Sequence, residues 1–146
     1  ESGVGALTSA YLIRPDIAVT IDVTFAKGPG STDYRAFPLG KGPTIGTGAN
    51  IHPVLVNAFT RLAKEIDLPY GMEMMARSSG TDGMMIQVTA EGIPNMVLGI
   101  PIRYMHTSVE LVSVNDIYRV AHLLAEFIRR LKPDSAHTLF EKFANE

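Results

Sequence analysis

Eight residues without a charge, Asn95 to Ile102, run straight into Arg103-Tyr-Met-His-Thr-Ser-Val-Glu110, where polar side chains crowd together. An apolar run of that length reads as a strand buried on both faces. A second strand signal lies far upstream. Ile17, Val19, Ile21, Val23 and Phe25 alternate with Ala18, Thr20, Asp22 and Thr24, a period of two with one apolar face and one more polar face. Helical patterns separate such strands along the chain, and alternation of this kind predicts an α/β architecture around a mainly parallel or mixed sheet. Ligands of open α/β sheets bind just past the carboxyl ends of strands. His106 stands at such a place.

The remaining elements follow in order. Ala6 to Ile13 predicts a short helix, closed by Arg14-Pro15 because proline steers its predecessor away from helix. Lys27 to Gly48 is broken by glycine and proline and holds one short strand near Pro43 to Gly48. Its glycines do not make a nucleotide cradle, since Lys41 is not followed by Ser or Thr and no G-x-G-x-x-G opens a helix. Pro53 suits the first turn of a helix that keeps apolar spacing to about Asp67. Tyr70 to Ala76 predicts a strand with Met72, Met74 and Met75 as core filler. Asp82 to Ala90 predicts a helix that Asp82 caps. Ser113 and Asp116 predict a capping box for the last long helix, with Val114, Ile117, Ala121, Leu124, Ile128 and Leu131 as its buried stripe. Residues 134–146 read as a loose tail.

Composition narrows the function. A net charge of −2 and no concentrated basic patch argue against nucleic acid. Arg129-Arg130-Leu-Lys132 sits at a helix end, where cations complement the dipole. No apolar run approaches the roughly 20 residues of a bilayer span, and the start lacks the pattern of a signal peptide, so a membrane is not expected as a partner. The absence of cysteine excludes thiolate nucleophiles and sulfur-ligated metals, and is compatible with a cytoplasmic location. Any metal here needs His, Asp or Glu.

Two polar positions on loops or strand ends stand out. Asp22 is either a solvated residue between Thr20 and Thr24 or a carboxylate held by a partner or a metal at a strand end. His106 is either an exposed loop histidine or a ligand. His52 reads as a helix-start residue, and His122 and His137 as structural or exposed. These residues suit metal or substrate binding without deciding between them.

Six segments in order carry a resemblance: Thr8-Ser-Ala-Tyr11, Ile21-Asp-Val-Thr-Phe-Ala26, Leu39-Gly-Lys-Gly-Pro43, Gly48-Ala-Asn-Ile-His-Pro53, Ser79-Gly-Thr-Asp82 and Ile100 to Glu110. Together they resemble the TET-type, glutamyl-aminopeptidase family of dinuclear metallo-aminopeptidases, some of whose members once carried the label endoglucanase or cellulase M. The resemblance implies a three-layer α/β sandwich of the zinc-peptidase, phosphorylase/hydrolase-like type. It implies two divalent ions (zinc, cobalt or manganese), with Asp22 and His106 as ligands to different ions and Glu1 as a further ligand. It makes Asp82, with Thr81, a substrate-orienting or ligand-supporting group. The ions activate a water and polarise the scissile carbonyl of a peptide substrate, and a glutamate acts as general base.

The family's remaining ligands, its general-base glutamate and its dimerisation domain are expected upstream of Glu1. Residues 1–146 therefore read as the C-terminal portion of a catalytic domain, inactive alone, from a homo-oligomer that is a dodecamer when complete. Two departures are mild: Thr107-Ser108 replaces the usual Ser-Pro, and Gly83 replaces a common Ala. Two other readings stay open. One is a non-catalytic α/β binding or assembly module. The other is a polysaccharide hydrolase, which needs a pair of carboxylic acids flanking a sugar cleft.

Overall fold

A computed structural model describes residues 3–31, 33, 35–132 and 140. Glu1 lies outside them, as does the expected tail apart from Phe140. The element order is α1 (Val4–Ile13), β1 (Ala18–Phe25), β2 (Thr44–Gly48), α2 (Pro53–Glu65), β3 (Gly71–Met75), α3 (Gly83–Gln87), β4 (Asn95–Arg103), β5 (Leu111–Val112) and α4 (Val114–Arg130). The strands form one mixed sheet in the order β1-β4-β2-β3, with β5 beside the end of β4. β1 runs parallel to β4 over its whole length, and β2 parallel to β3. β2 meets β4 antiparallel at only two positions.

β4 is central because it is apolar on both sides. Asn95 to Gly99 are all buried. Met96 and Leu98 face α2 and α4, joined there by Ile45, Leu55, Val120 and Leu123. Phe59 of α2 stacks on Phe127 of α4 with ring centroids 4.3 Å apart. α3 lies near the amino ends of β1 and β4, with α1 against it.

The residues on the Thr20–Thr24 side face a hollow. At the usual spacing of about 4.8 Å between strands, β1 and β3 of a flat sheet would stand about 14 Å apart. Yet the Thr24 hydroxyl donates to Oε1 of Glu73, on β3, at 2.6 Å. The sheet is therefore curled, with this face concave.

Several elements differ from their sequence patterns. Beyond Val19, which packs against the core, β1 is inverted: its apolar face is open (Ile21 45%, Val23 40%, Phe25 60% exposed) while Thr20 and Thr24 are buried. It is an edge strand, and among the described residues no helix covers that side. Met74 is 76% exposed and only Met75 of the three β3 methionines is buried, because β3 is the opposite edge. α3 stops after five residues, where the Thr89 hydroxyl turns back to the Met85 carbonyl.

In α4 the buried stripe is Asp116, Val120, Leu123 and Phe127; Val114, Ile117 and Ile128 face outward. The helix is apolar on more than one side, and the register is fixed by Asp116. Its carboxylate accepts the Gly40 and Gly42 amides at 2.7 and 2.9 Å rather than serving in a capping box. Ser113 does stand at the N-cap, but its side chain makes no capping bond.

Candidate metal centre

Of the two strongest candidates, Asp22 is on β1 and His106 is on the turn that follows its parallel neighbour β4. Asp22 is opposite Gly99, three residues before the end of β1. It is partly buried, and its Oδ1 accepts the Val23 amide at 2.7 Å. His106 lies in the turn that carries β4 into β5 and is exposed. Arg103 Nε donates to the Lys27 carbonyl at 2.6 Å, tying the turn after β4 to the loop after β1.

The 104–110 turn is built against backbone preference. Tyr104 (φ 61°) and His106 (φ 65°) are both left-handed without being glycine, a conformation that costs roughly 1–2 kcal/mol per residue. Side-chain bonds hold it. The Thr107 hydroxyl meets the carbonyls of Tyr104 and Val109 at 2.6 and 2.8 Å, and the His106 amide donates to Oε1 of Glu110 at 2.8 Å. Strain maintained at one exposed histidine is the kind of outlier that marks functional positions.

Asp82 and Thr81 lie toward the other end of β4. A Cβ placed on Gly83 would come within 2.4 Å of Asn95 Nδ2, at the first residue of that strand. Nine strand residues span about 26 Å, so these two are not beside His106. Asp82 takes the N-cap position of α3 without a capping bond, and its Oδ1 faces Gly3 at the start of α1. Thr81 shares a hydroxyl network with Ser79, which accepts from the Asn50 amide at 2.9 Å.

Sequence reasoning missed Glu73. It sits among methionines, but its two oxygens accept the hydroxyls of Thr24 at 2.6 Å and Thr44 at 2.5 Å. A cleft of about 790 Å³ opens over it, lined also by Phe25, Phe37, Met74, Arg77 and Ser79. The signal available was weak: one charge inside a strand of methionines. His52 was legible as a helix start and is the N-cap residue of α2. Its Nδ1 is buried without a partner among the described residues, and burial holds its pKa below the usual histidine value.

The donor types at Asp22 and His106, a hard carboxylate and an imidazole, suit zinc, cobalt or manganese. Among the described residues no three His, Asp or Glu side chains are grouped closely enough to hold an ion. The set is thus right in kind and short in number.

A curled mixed sheet with helices on both faces defines the class, an α/β protein, with an acid on one strand and an imidazole on the turn after the neighbouring strand. The model of the M42 glutamyl aminopeptidase family matches residues 2–123, and the chain belongs to that family, which is one of metallopeptidases. The chain is 38% identical to lysyl aminopeptidase of Pyrococcus furiosus over 129 residues, 88% of this chain and 37% of that protein. The TET aminopeptidase of a marine sediment thaumarchaeon superposes with a TM-score of 0.86 at 29% identity, over 94% of this chain and 40% of its own. The Pyrococcus horikoshii TET1 peptidase, which can assemble into a tetrahedron or a large octahedral shell, gives 0.67 at 25% identity, over 84% and 36%. The chain thus spans about two fifths of the relatives it matches.

Proposed function

We propose that this chain is part of the catalytic domain of a metal-dependent aminopeptidase, and that Asp22, His106 and Glu1 each give a ligand to its divalent ions. What supports this reading is that the chain belongs to the M42 family and carries Asp22 on β1 and His106 on the turn that follows the adjacent parallel strand β4. The bound ions supply an acidified water and polarise the peptide carbonyl. The chain's own contribution is to hold two donors: Asp22 on a strand paired with β4 along its whole length, His106 on a turn held by Thr107 and Glu110.

With so few donors grouped, residues 1–146 alone do not hydrolyse peptides; the general base and the remaining ligands come from other parts of the catalytic domain. Assembly into a cytoplasmic homo-oligomer, a dodecamer when complete, is part of the same reading, supported by the shells of the Pyrococcus horikoshii relative. The test is Asp22→Asn and His106→Gln in the full-length protein, with bound metal counted and aminoacyl anilides and cellulose offered as substrates. Each substitution is expected to lose one bound ion and at least about 100-fold in anilide hydrolysis, with cellulose untouched throughout. Unchanged anilide hydrolysis in both variants refutes the reading and favours a non-catalytic module.

A further inference from the structure

Glu73 crosses the concave face of the sheet and touches three strands other than its own. Its Oε1 takes the Thr24 hydroxyl of β1 at 2.6 Å, and its Oε2 takes the Thr44 hydroxyl of β2 at 2.5 Å. Between them lies Gly99 of β4. A Cβ there would stand 2.1 Å from Thr44 Oγ1, 2.9 Å from Glu73 Oε2 and 3.2 Å from Thr24 Cγ2. The glycine is what lets the carboxylate lie flat over the strand. Gly99 is also the register partner of Asp22, and Thr44 is the partner of Gly99 on its other side. Asp22, Gly99 and Thr44 therefore form one row across three strands, with the Glu73 carboxylate on it. Thr24, two residues beyond Asp22, points to the same face.

The two bonds have the length expected of hydroxyls donating to an ionised carboxylate, about 2.5–2.7 Å. An amide in its place accepts from one hydroxyl and has to donate to the other, so both bonds lose the charge that shortens and strengthens them and one hydroxyl must turn its proton elsewhere. Among the described residues the Asp22 carboxylate has one hydrogen bond, from the next amide in its own strand. Its placement thus depends on where β1 is held: β4 pairs with it along one side, and on the other the Phe25 carbonyl accepts the Phe37 amide at 2.8 Å, beyond Thr24. Glu73 adds a hold from the face of the sheet, through the Thr24 side chain.

We infer that Glu73 is a positioning residue: by clamping Thr24 and Thr44 across Gly99 it fixes the segment of β1 that presents Asp22 to its metal ion. This rests on Asp22 being a ligand, as proposed above. The experiment uses the full-length protein with zinc or cobalt alone as the probe in calorimetry. Glu73→Gln and Thr24→Val are each expected to weaken one of the two ions about 10–100-fold while leaving the other, the range seen when hydrogen-bond partners behind a ligand are removed. For the anilide substrate, kcat falls with KM little changed. Thr24→Ser, which keeps the hydroxyl, recovers the affinity that Thr24→Val loses.

A merely structural Glu73 would lower the urea midpoint and leave both metal affinities intact in whichever of the two variants folds, and that result overturns the inference. Asp22→Asn is run beside them. If it loses an ion while Glu73→Gln and Thr24→Val lose none, the ligand reading stands and the positioning role fails. If Asp22→Asn keeps both ions, the ligand reading fails and takes this inference with it.

Discussion

Replacing Asp116 with alanine separates two accounts of the start of α4. If the residue only complemented a helix terminus, its loss would cost about 0.3–1 kcal/mol. The structure gives it a larger task. Asp116 has no exposure, accepts the Gly40 and Gly42 amides at 2.7 and 2.9 Å, and meets Arg119 Nη1 at 3.3 Å. Removing it leaves the Gly42 amide buried without its acceptor, worth about 1–3 kcal/mol. Breaking one side of a buried charge pair costs about 3–5 kcal/mol, and the partly exposed Arg119 keeps the total toward the lower end.

A loss of about 3–5 kcal/mol is expected for Asp116→Ala, a fall in Tm of roughly 6–20 °C at the 2–4 °C per kcal/mol usual for domains of this size. Ser113→Ala, by contrast, removes no capping bond and should stay within about 0.5 kcal/mol. Urea unfolding followed by circular dichroism gives both values. A loss below about 1 kcal/mol for Asp116→Ala, with a comparable loss for Ser113→Ala, would refute the reasoning and restore the capping box.

Two further outcomes follow from strain and burial. His106→Gly relieves a left-handed residue, so it should be neutral or stabilising by up to about 1 kcal/mol, while anilide hydrolysis by the full-length protein collapses; urea midpoints and rates measured together check it. His52 has a pKa lowered by burial, so the unfolded chain takes up the proton first. The stability it permits is complete above the unfolded value near 6.5 and is lost as pH falls below it. Tm measured from pH 8 to 5 should therefore drop more steeply in the parent than in His52→Asn, and parallel curves would contradict this.

The α/β plan was readable because β4 is apolar from Met96 to Ile102 and helices intervene between the strands. Pro53 marked the start of α2 correctly for the same local reason that proline tolerates a first turn. What sequence could not supply was the partner of each face. Thr20 and Thr24 read as the wet side of β1, yet they are buried because Asn95 and Glu73 accept their protons. The α4 register turned on Asp116 reaching amides 74 and 76 residues away in the chain. At the site, Asp22 and His106 were visible as residue types at strand ends, whereas Glu73 was invisible because its partners lie 29 and 49 positions distant.

The open flank of β1 has a practical corollary. Val19, Ile21 and Val23 direct their backbone amides and carbonyls away from β4, and the same strand displays an oily surface. A ribbon edge that is at once unpaired and greasy invites another ribbon to zip onto it. Handled as an isolated piece, residues 1–146 would be governed by that stickiness at high concentration, and a lysine at Val23 would be the simplest gatekeeper against it.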